Sequence, residues 1–261
     1  MEKKTLSRDG TPVAYERFGQ GPAVVLVSGA MSTSATVVPL AAALSDRFGV
    51  IVYDRRGRGE SGDTAPYAVA REVEDLAALI EVAGGEAALY GISSGGALVL
   101  EAVASGLPVP RAAVYEVPFA MSEDAGKERT EYTASLTEAL REDRRGDAVE
   151  LFLRLTGLAE EMIRGARQSP MWAAMESLAP SLAYDDAVLG DGTVPRARLA
   201  AIGVPVLSVA GSASPGWMAE AARAVADAVP QGTYRSLEDQ THRVDPQVLA
   251  PVLAEFFSPA G

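Results

Sequence analysis

The chain has no cysteine and a single histidine, His242. Without thiols there is no disulfide framework, no thiolate nucleophile and no cysteine-ligated metal, and one imidazole cannot build a histidine-rich zinc site. Redox and zinc enzymology drop out, and the chemistry expected below requires no metal and no cofactor. Basic residues are also scarce: 23 Lys and Arg stand against 35 Asp and Glu, a formal charge of −12. A phosphate backbone or an anionic bilayer would be repelled, so neither nucleic acid nor membrane is an expected partner.

Long apolar spans are missing too. Residues 18–45 carry no charge, but Gln20-Gly21-Pro22, Ser32-Thr33-Ser34 and Pro39 divide them into a strand, a loop and a helix start. The opening Met1-Glu2-Lys3-Lys4 runs into a polar segment, not the apolar core of a secretory leader. The expectation is a soluble, cytoplasmic protein, monomeric or homodimeric, whose partner is a small molecule.

What is present suits a folded enzyme. The 261 residues, 48% of them hydrophobic, suffice for one large domain or a domain with an insertion. Asp9-Gly10 marks a hairpin turn, so the first two strands should be antiparallel. Short Val- and Ile-rich runs follow at 23–27, 50–53, 87–90, 112–115, 204–210 and 233–237. They alternate with helix-period segments, the pattern of a parallel sheet with crossover helices. Val69, Val73, Leu76 and Ile80 form one such helix, stopped by Gly84-Gly85. Asp245-Pro246 opens the last one as a cap and first-turn proline.

Some 80 residues, 119–199, separate two strands that should be neighbours, where about two to six would serve. They read as an inserted helical lid on a core formed by 1–118 and 200–261, with helices at 133–139, 147–158 and 160–168. Met171, Trp172 and Met175 either belong to a small core inside this insertion or face a substrate cavity beneath it. Met31, on the loop after the strand at 23–27, is a further candidate substrate contact.

The chemical signal is Gly91-Ile92-Ser93-Ser94-Gly95, a G-x-S-x-G run placed between a buried strand and a helix at 97–104. A sharp strand-to-helix turn pushes the Ser93 hydroxyl out above the sheet, and the small flanking glycines permit it. The Ser94 N–H then points at the same spot from a helix N-terminus. A serine hydroxyl needs a base, and His242 is the sole imidazole, lying after the last strand and just before the final helix.

The acid is less obvious. The turn after the strand at 204–210 is Gly211-Ser212-Ala213-Ser214, with no carboxylate, and Ser214 reads as a helix cap. Glu116 ends the strand next after the nucleophile strand, on the rim where sites of parallel α/β sheets gather. Asp239 and Asp245 are rivals close to His242 in sequence, although Asp245 is better explained as a cap. The bland alternative for Glu116 is an exposed strand-end charge or a salt bridge to the insertion.

Taken with Ser28-Gly29-Ala30 and with Asp54-Arg55-Arg56-Gly57-Arg58-Gly59-Glu60-Ser61, which resembles a D-x-R-G-x-G-x-S loop, the elbow identifies the chain as similar to the α/β-hydrolase superfamily. The resemblance covers nearly the whole chain. It implies a mostly parallel eight-stranded sheet flanked by helices, an oxyanion hole from Ser94 and from Gly29 or Ala30, and a structural role for the Asp54 loop.

Within that superfamily, the Ser-Ser elbow, a Glu one strand later and an acid-less turn ending in Ser214-Pro215 resemble the fungal zearalenone lactonases. The resemblance departs at Ile92 and at the Ser28 loop. It implies a triad of Ser93, Glu116 and His242, a lid tryptophan at Trp172 and hydrolysis of a lactone or ester. Carbon–carbon hydrolysis or perhydrolysis on the same triad is an alternative. A binding protein that keeps the fold without turnover is another.

Overall fold

The computed structural model describes residues 3–258; Met1 and Glu2 of the opening tetrapeptide lie outside the described residues. Strands β1 (Lys3–Leu6) and β2 (Pro12–Phe18) pair antiparallel. Their turn is the Asp9-Gly10 pair: Gly10 holds φ at +85°, and Asp9 Oδ1 accepts the Thr11 N–H at 3.0 Å. Then come β3 (Ala23–Val27), α1 (Val38–Leu44), β4 (Gly49–Tyr53), α2 (Val69–Ala83), β5 (Ala88–Ile92), α3 (Ser94–Ala104) and β6 (Ala112–Tyr115). After a long helical segment the chain closes with further strand and helix pairs.

Eight strands form one sheet in the order β1-β2-β4-β3-β5-β6, continued by β7 (Val206–Gly211) and β8 (Gly232–Leu237). From β4 onward every neighbouring pair is parallel. Only β2 runs against both its neighbours. The parallel strands are apolar on both sides because helices cover both faces. Along β3 and β5, Val25, Val27 and Leu89 join a core with Leu76, Leu79 and Leu98 of α2 and α3. The alternate residues Val24, Leu26, Ala88 and Tyr90 join the opposite core with Leu40 and Leu253. This is the two-residue period of a strand buried on both faces.

Six helices connect β6 to β7: α4 (Glu123–Arg141), α5 (Arg145–Leu155), α6 (Glu160–Arg167), α7 (Trp172–Leu178), α8 (Leu182–Leu189) and α9 (Arg196–Leu199). Tyr132, Leu136, Val149, Trp172 and Leu182 build a small core of their own. The helix expected at 133–139 is the end of α4. Its first turns carry mainly charged residues and no apolar stripe, and it starts from Ser122, whose Oγ accepts the Ala125 N–H. The short helices α7 to α9 gave too few turns for a periodic signal. Leu189 and Leu199, from the end of this segment, pack into the main core beside α3.

Helix α10 (Gly216–Ala228) differs from expectation at its start. Its N-cap is Pro215, without a side-chain cap bond, and Ser214 lies one residue too early to serve. Proline at the cap fixes φ at −52°, which sets the entry to the helix without a capping hydroxyl. Helix α11 (Pro246–Phe257) starts as read, with Asp245 Oδ1 accepting the Gln247 N–H at 2.8 Å. No described helix is long and apolar enough to cross a membrane.

Candidate active site

Ser93 stands between β5 and α3 with φ +56° and ψ −128°, a conformation that costs about 1–3 kcal/mol for a non-glycine residue and persists only where its surroundings impose it. Its N–H donates to Tyr115 O at 2.9 Å, and its carbonyl accepts the Gly96 N–H at 2.9 Å. The neighbouring glycines are steric requirements. A Cβ on Gly95 would lie 2.5 Å from Ser28 O and 2.6 Å from Val27 O, in the backbone of β3 and the loop after it. Gly95→Ala should therefore cost about 1–3 kcal/mol, as overpacking does, read as a lowered urea midpoint. An unchanged midpoint would show that α3 can slide away from β3 freely.

His242 sits in the loop after β8, and three contacts hold that loop over the sheet rim. Tyr115 Oη donates to Thr241 O at 2.7 Å, the Ala213 N–H donates to Gln240 O at 2.9 Å, and the Asp239 N–H donates to Ser212 Oγ at 2.9 Å. Burial, then the nearby Glu116 charge, pushes the Tyr115 hydroxyl up, so it stays a donor at neutral pH. Residues 211–214, where no carboxylate stands, thus serve as the platform for the His242 loop.

Glu116 is buried and has φ +45°, which turns its side chain off the end of β6. Oε1 accepts the Gly211 N–H at 2.8 Å, and Oε2 lies 2.8 Å from His242 Nδ1. With Oε1 already accepting, the network assigns the ring proton to Nδ1 and leaves Nε2 bare. The ring is partly exposed, and Ser93 Oγ has no hydrogen-bond partner among the described residues. Nucleophile–base contacts are often long before substrate binds. Asp239 is exposed and Asp245 caps α11, so neither rival occupies the ring's Nδ1 side.

Gly29 lies against the nucleophile: a Cβ there would be 3.0 Å from Ser93 Cβ and 3.7 Å from Ser93 Oγ. Among the described residues no carbonyl accepts the backbone N–H of Ala30 or of Ser94. Met31 follows with φ +51°. Met31, Ser93, Glu116 and Asp239 are four of the five non-glycine residues with positive φ among the described residues, so backbone strain concentrates on the loops around the site. Ala30, Met31 and Met175 pack against the small core of the helical segment, of which Trp172 is a member. The Trp172 indole N–H donates to Glu176 Oε1 at 2.9 Å. Met171 does not join that cluster and is 71% exposed.

The Asp54 loop is built from buried charge. Asp54 Oδ1 accepts the Ser34 N–H at 2.7 Å and Oδ2 accepts the Glu60 N–H at 2.9 Å. Arg55 makes two bonds to Glu72, and Arg56 two to Asp75, each pair fully buried. Glu72 and Asp75 share the inner side of α2 with Leu76 and Leu79. Sequence reading missed these acids and also Asp185 of α8, which accepts from Ser94 Oγ at 2.7 Å. A signal existed: three arginines in one loop require carboxylates, and two acids interrupt an apolar stripe.

Residues 24–252 match the alpha/beta hydrolase family. The chain is 50% identical to an alpha/beta hydrolase from Sphaerobacter thermophilus, covering 98% of this chain and 100% of that one with a TM-score of 0.89. A hydrolase from Pseudomonas aeruginosa shares the fold at 22% identity, with 98% of each chain covered and a TM-score of 0.76. A thermophilic esterase from Thermogutta terrifontis does so at 24% identity, covering 98% of this chain and 96% of that one, with a TM-score of 0.71. A strained serine at a strand-to-helix elbow, on an eight-stranded sheet matched along almost its entire length, carries one conclusion: this chain belongs to the alpha/beta hydrolase family and is a hydrolase.

Proposed function

We propose that this hydrolase cleaves a carboxylic ester or lactone of an apolar small molecule through a Ser93–His242–Glu116 triad. The observation that carries the reading is the 2.8 Å contact between His242 Nδ1 and a buried Glu116 oxygen, which leaves Nε2 free to act as the acceptor. In this reading Nε2 takes the Ser93 proton as Oγ attacks the acyl carbon. The Ser94 N–H and an N–H of Gly29 or Ala30 receive the oxyanion, and the imidazolium returns its proton to the leaving alkoxide. Water, deprotonated by the same nitrogen, then attacks the acyl carbon, the Ser93 Oγ–acyl bond breaks and the imidazolium proton returns to Oγ, and neither a metal nor a cofactor enters.

The segment 119–199 serves as the lid, with Trp172 in its own small core; Met175 of that segment and Met31 of the loop after β3 pack against this core and offer the apolar surface toward substrate. Met171 is too exposed to share that task. Glu116 just after β6, with the Gly211 turn free of carboxylates, supports kinship with the zearalenone lactonases and hence an aryl lactone as substrate. The test is a panel of p-nitrophenyl esters and aryl lactones together with a fluorophosphonate probe. Turnover and covalent labelling of Ser93 are expected. A protein that binds an apolar ligand yet leaves the probe untouched would be a binding module instead.

A further inference from the structure

Asp185 lies in α8, 91 residues from Ser94 in sequence, and is 4% exposed. Its Oδ1 accepts from Ser94 Oγ at 2.7 Å and from Arg55 Nη1 at 2.7 Å. Arg58 Nη2 donates to both carboxylate oxygens, at 2.8 and 2.7 Å. The other arm of the same guanidinium, Nη1, donates to Gly29 O at 2.6 Å, and Ser32 Oγ donates to that carbonyl at 2.5 Å. Burial alone would push the Asp185 carboxyl up, but Arg58 and Arg55 outweigh it and hold the group below the ordinary aspartate range. It is therefore a charged acceptor at neutral pH.

The geometry gives this cluster a task beyond holding the loop together. In a trans peptide the carbonyl and the following N–H point in opposite directions. Fixing Gly29 O inward on Arg58 turns the Ala30 N–H the other way, out of the arginine cluster, in a segment that touches Ser93. Fixing the Ser94 side chain inward on Asp185 sets the first residue of α3, whose N–H has no carbonyl acceptor among the described residues. One carboxylate thus governs both places from which oxyanion donors come.

Helix α8 is itself anchored nearby. Tyr184 stacks on Tyr67 at 3.8 Å with the rings 1° from parallel, and its hydroxyl donates to Asp63 Oδ2 at 2.6 Å. Tyr67 Oη in turn donates to Glu72 Oε1 at 2.9 Å, the acid paired with Arg55.

We infer that Asp185 is a positioning residue that, through Ser94 Oγ and the Arg58–Gly29 carbonyl contact, holds the Ser94 and Ala30 amides in place as a preorganised oxyanion hole. The inference rests on the ester-hydrolase reading and adds to it that Ala30 supplies the second donor. It also makes α8, whose Leu182 belongs to the small helical core, part of the catalytic frame.

The test compares Asp185→Asn and Ser94→Ala with Asp75→Asn, which removes the charge of one Arg56 partner in the same network, Asp9 being the other, but touches neither donor. Three readouts apply: kcat and KM for a p-nitrophenyl ester, melting temperature, and the 15N-resolved amide resonances of Ala30 and Ser94 without substrate. Asp185→Asn should lower kcat about 10–100-fold with KM within about twofold, somewhat less than outright loss of one oxyanion donor. Both amide resonances should move. Ser94→Ala keeps its backbone N–H and should lose about 3–10-fold, which covers the case in which Asp185→Asn does not fold.

Asp75→Asn should melt earlier yet keep kcat and both resonances. Equal kcat losses in Asp185→Asn and Asp75→Asn would reduce Asp185 to a structural ion-pair member, and wild-type kcat with unmoved amides would overturn the inference. If the wild type hydrolyses no ester, the functional reading fails on its own. The amide resonances then decide the positioning role alone, with unmoved signals in Asp185→Asn refuting it.

Discussion

Ser93→Ala should abolish ester hydrolysis, with kcat falling on the order of 10⁶-fold, the loss seen when the nucleophile of a serine triad is removed. The residual rate would come from binding and from the oxyanion amides, which alanine leaves in place. The substitution deletes one oxygen that has no hydrogen-bond partner among the described residues, and alanine accepts the same backbone no worse than serine, so stability should hardly change. Activity and melting temperature should therefore separate cleanly. Intact-mass analysis after fluorophosphonate treatment should show one adduct on the wild type and none on the variant. An adduct that persists on Ser93→Ala would move the nucleophile elsewhere.

Glu116→Gln should cost on the order of 10⁴ in kcat, the scale on which a triad suffers when its acid is replaced by the isosteric amide. Size and reach are preserved, and the amide oxygen can still accept the Gly211 N–H. The NH2 group then faces His242 Nδ1, which must become the acceptor, and the ring proton moves to Nε2. That nitrogen can no longer take the Ser93 proton. KM should stay close to that of the wild type, because the side chain is buried beneath the ring. Asp239→Ala, made in parallel, should retain activity within about twofold, since its carboxylate is exposed and on the surface of the loop. A reversal of these two results would reassign the acid.

Much of this was legible in the amino-acid sequence where a local rule had a single solution. Alternating Val and Ile runs bounded by turns identify strands because parallel strands must be apolar on both faces, and β3 and β6 begin and end where their composition says. Asp9-Gly10 and Asp245-Pro246 act through their own backbone preferences, so no partner was needed to read them. The place of Ser93 at the strand-to-helix elbow follows from steric logic confined to five residues.

Other features depend on what meets across the fold. Asp185 makes its contacts with Ser94, Arg55 and Arg58 at sequence separations of 91, 130 and 127. No pattern within α8 announces them. The helical segment was readable only in part, because α4 begins as a charged surface helix and α7 to α9 are short. Trp172 could be placed in the insertion but not oriented. Its packing among Tyr132, Leu136 and Val149 depends on how α4, α5 and α7 meet.

In the proposed triad Glu116 fixes the proton of His242 on Nδ1. Because the chain holds one histidine, imidazole 15N NMR reads that proton without ambiguity. At a pH where the ring is neutral, the wild type should show Nδ1 protonated and Nε2 bare, and Glu116→Gln should show the opposite tautomer. A wild-type spectrum with the proton on Nε2, or a tautomer indifferent to the substitution, would contradict the account.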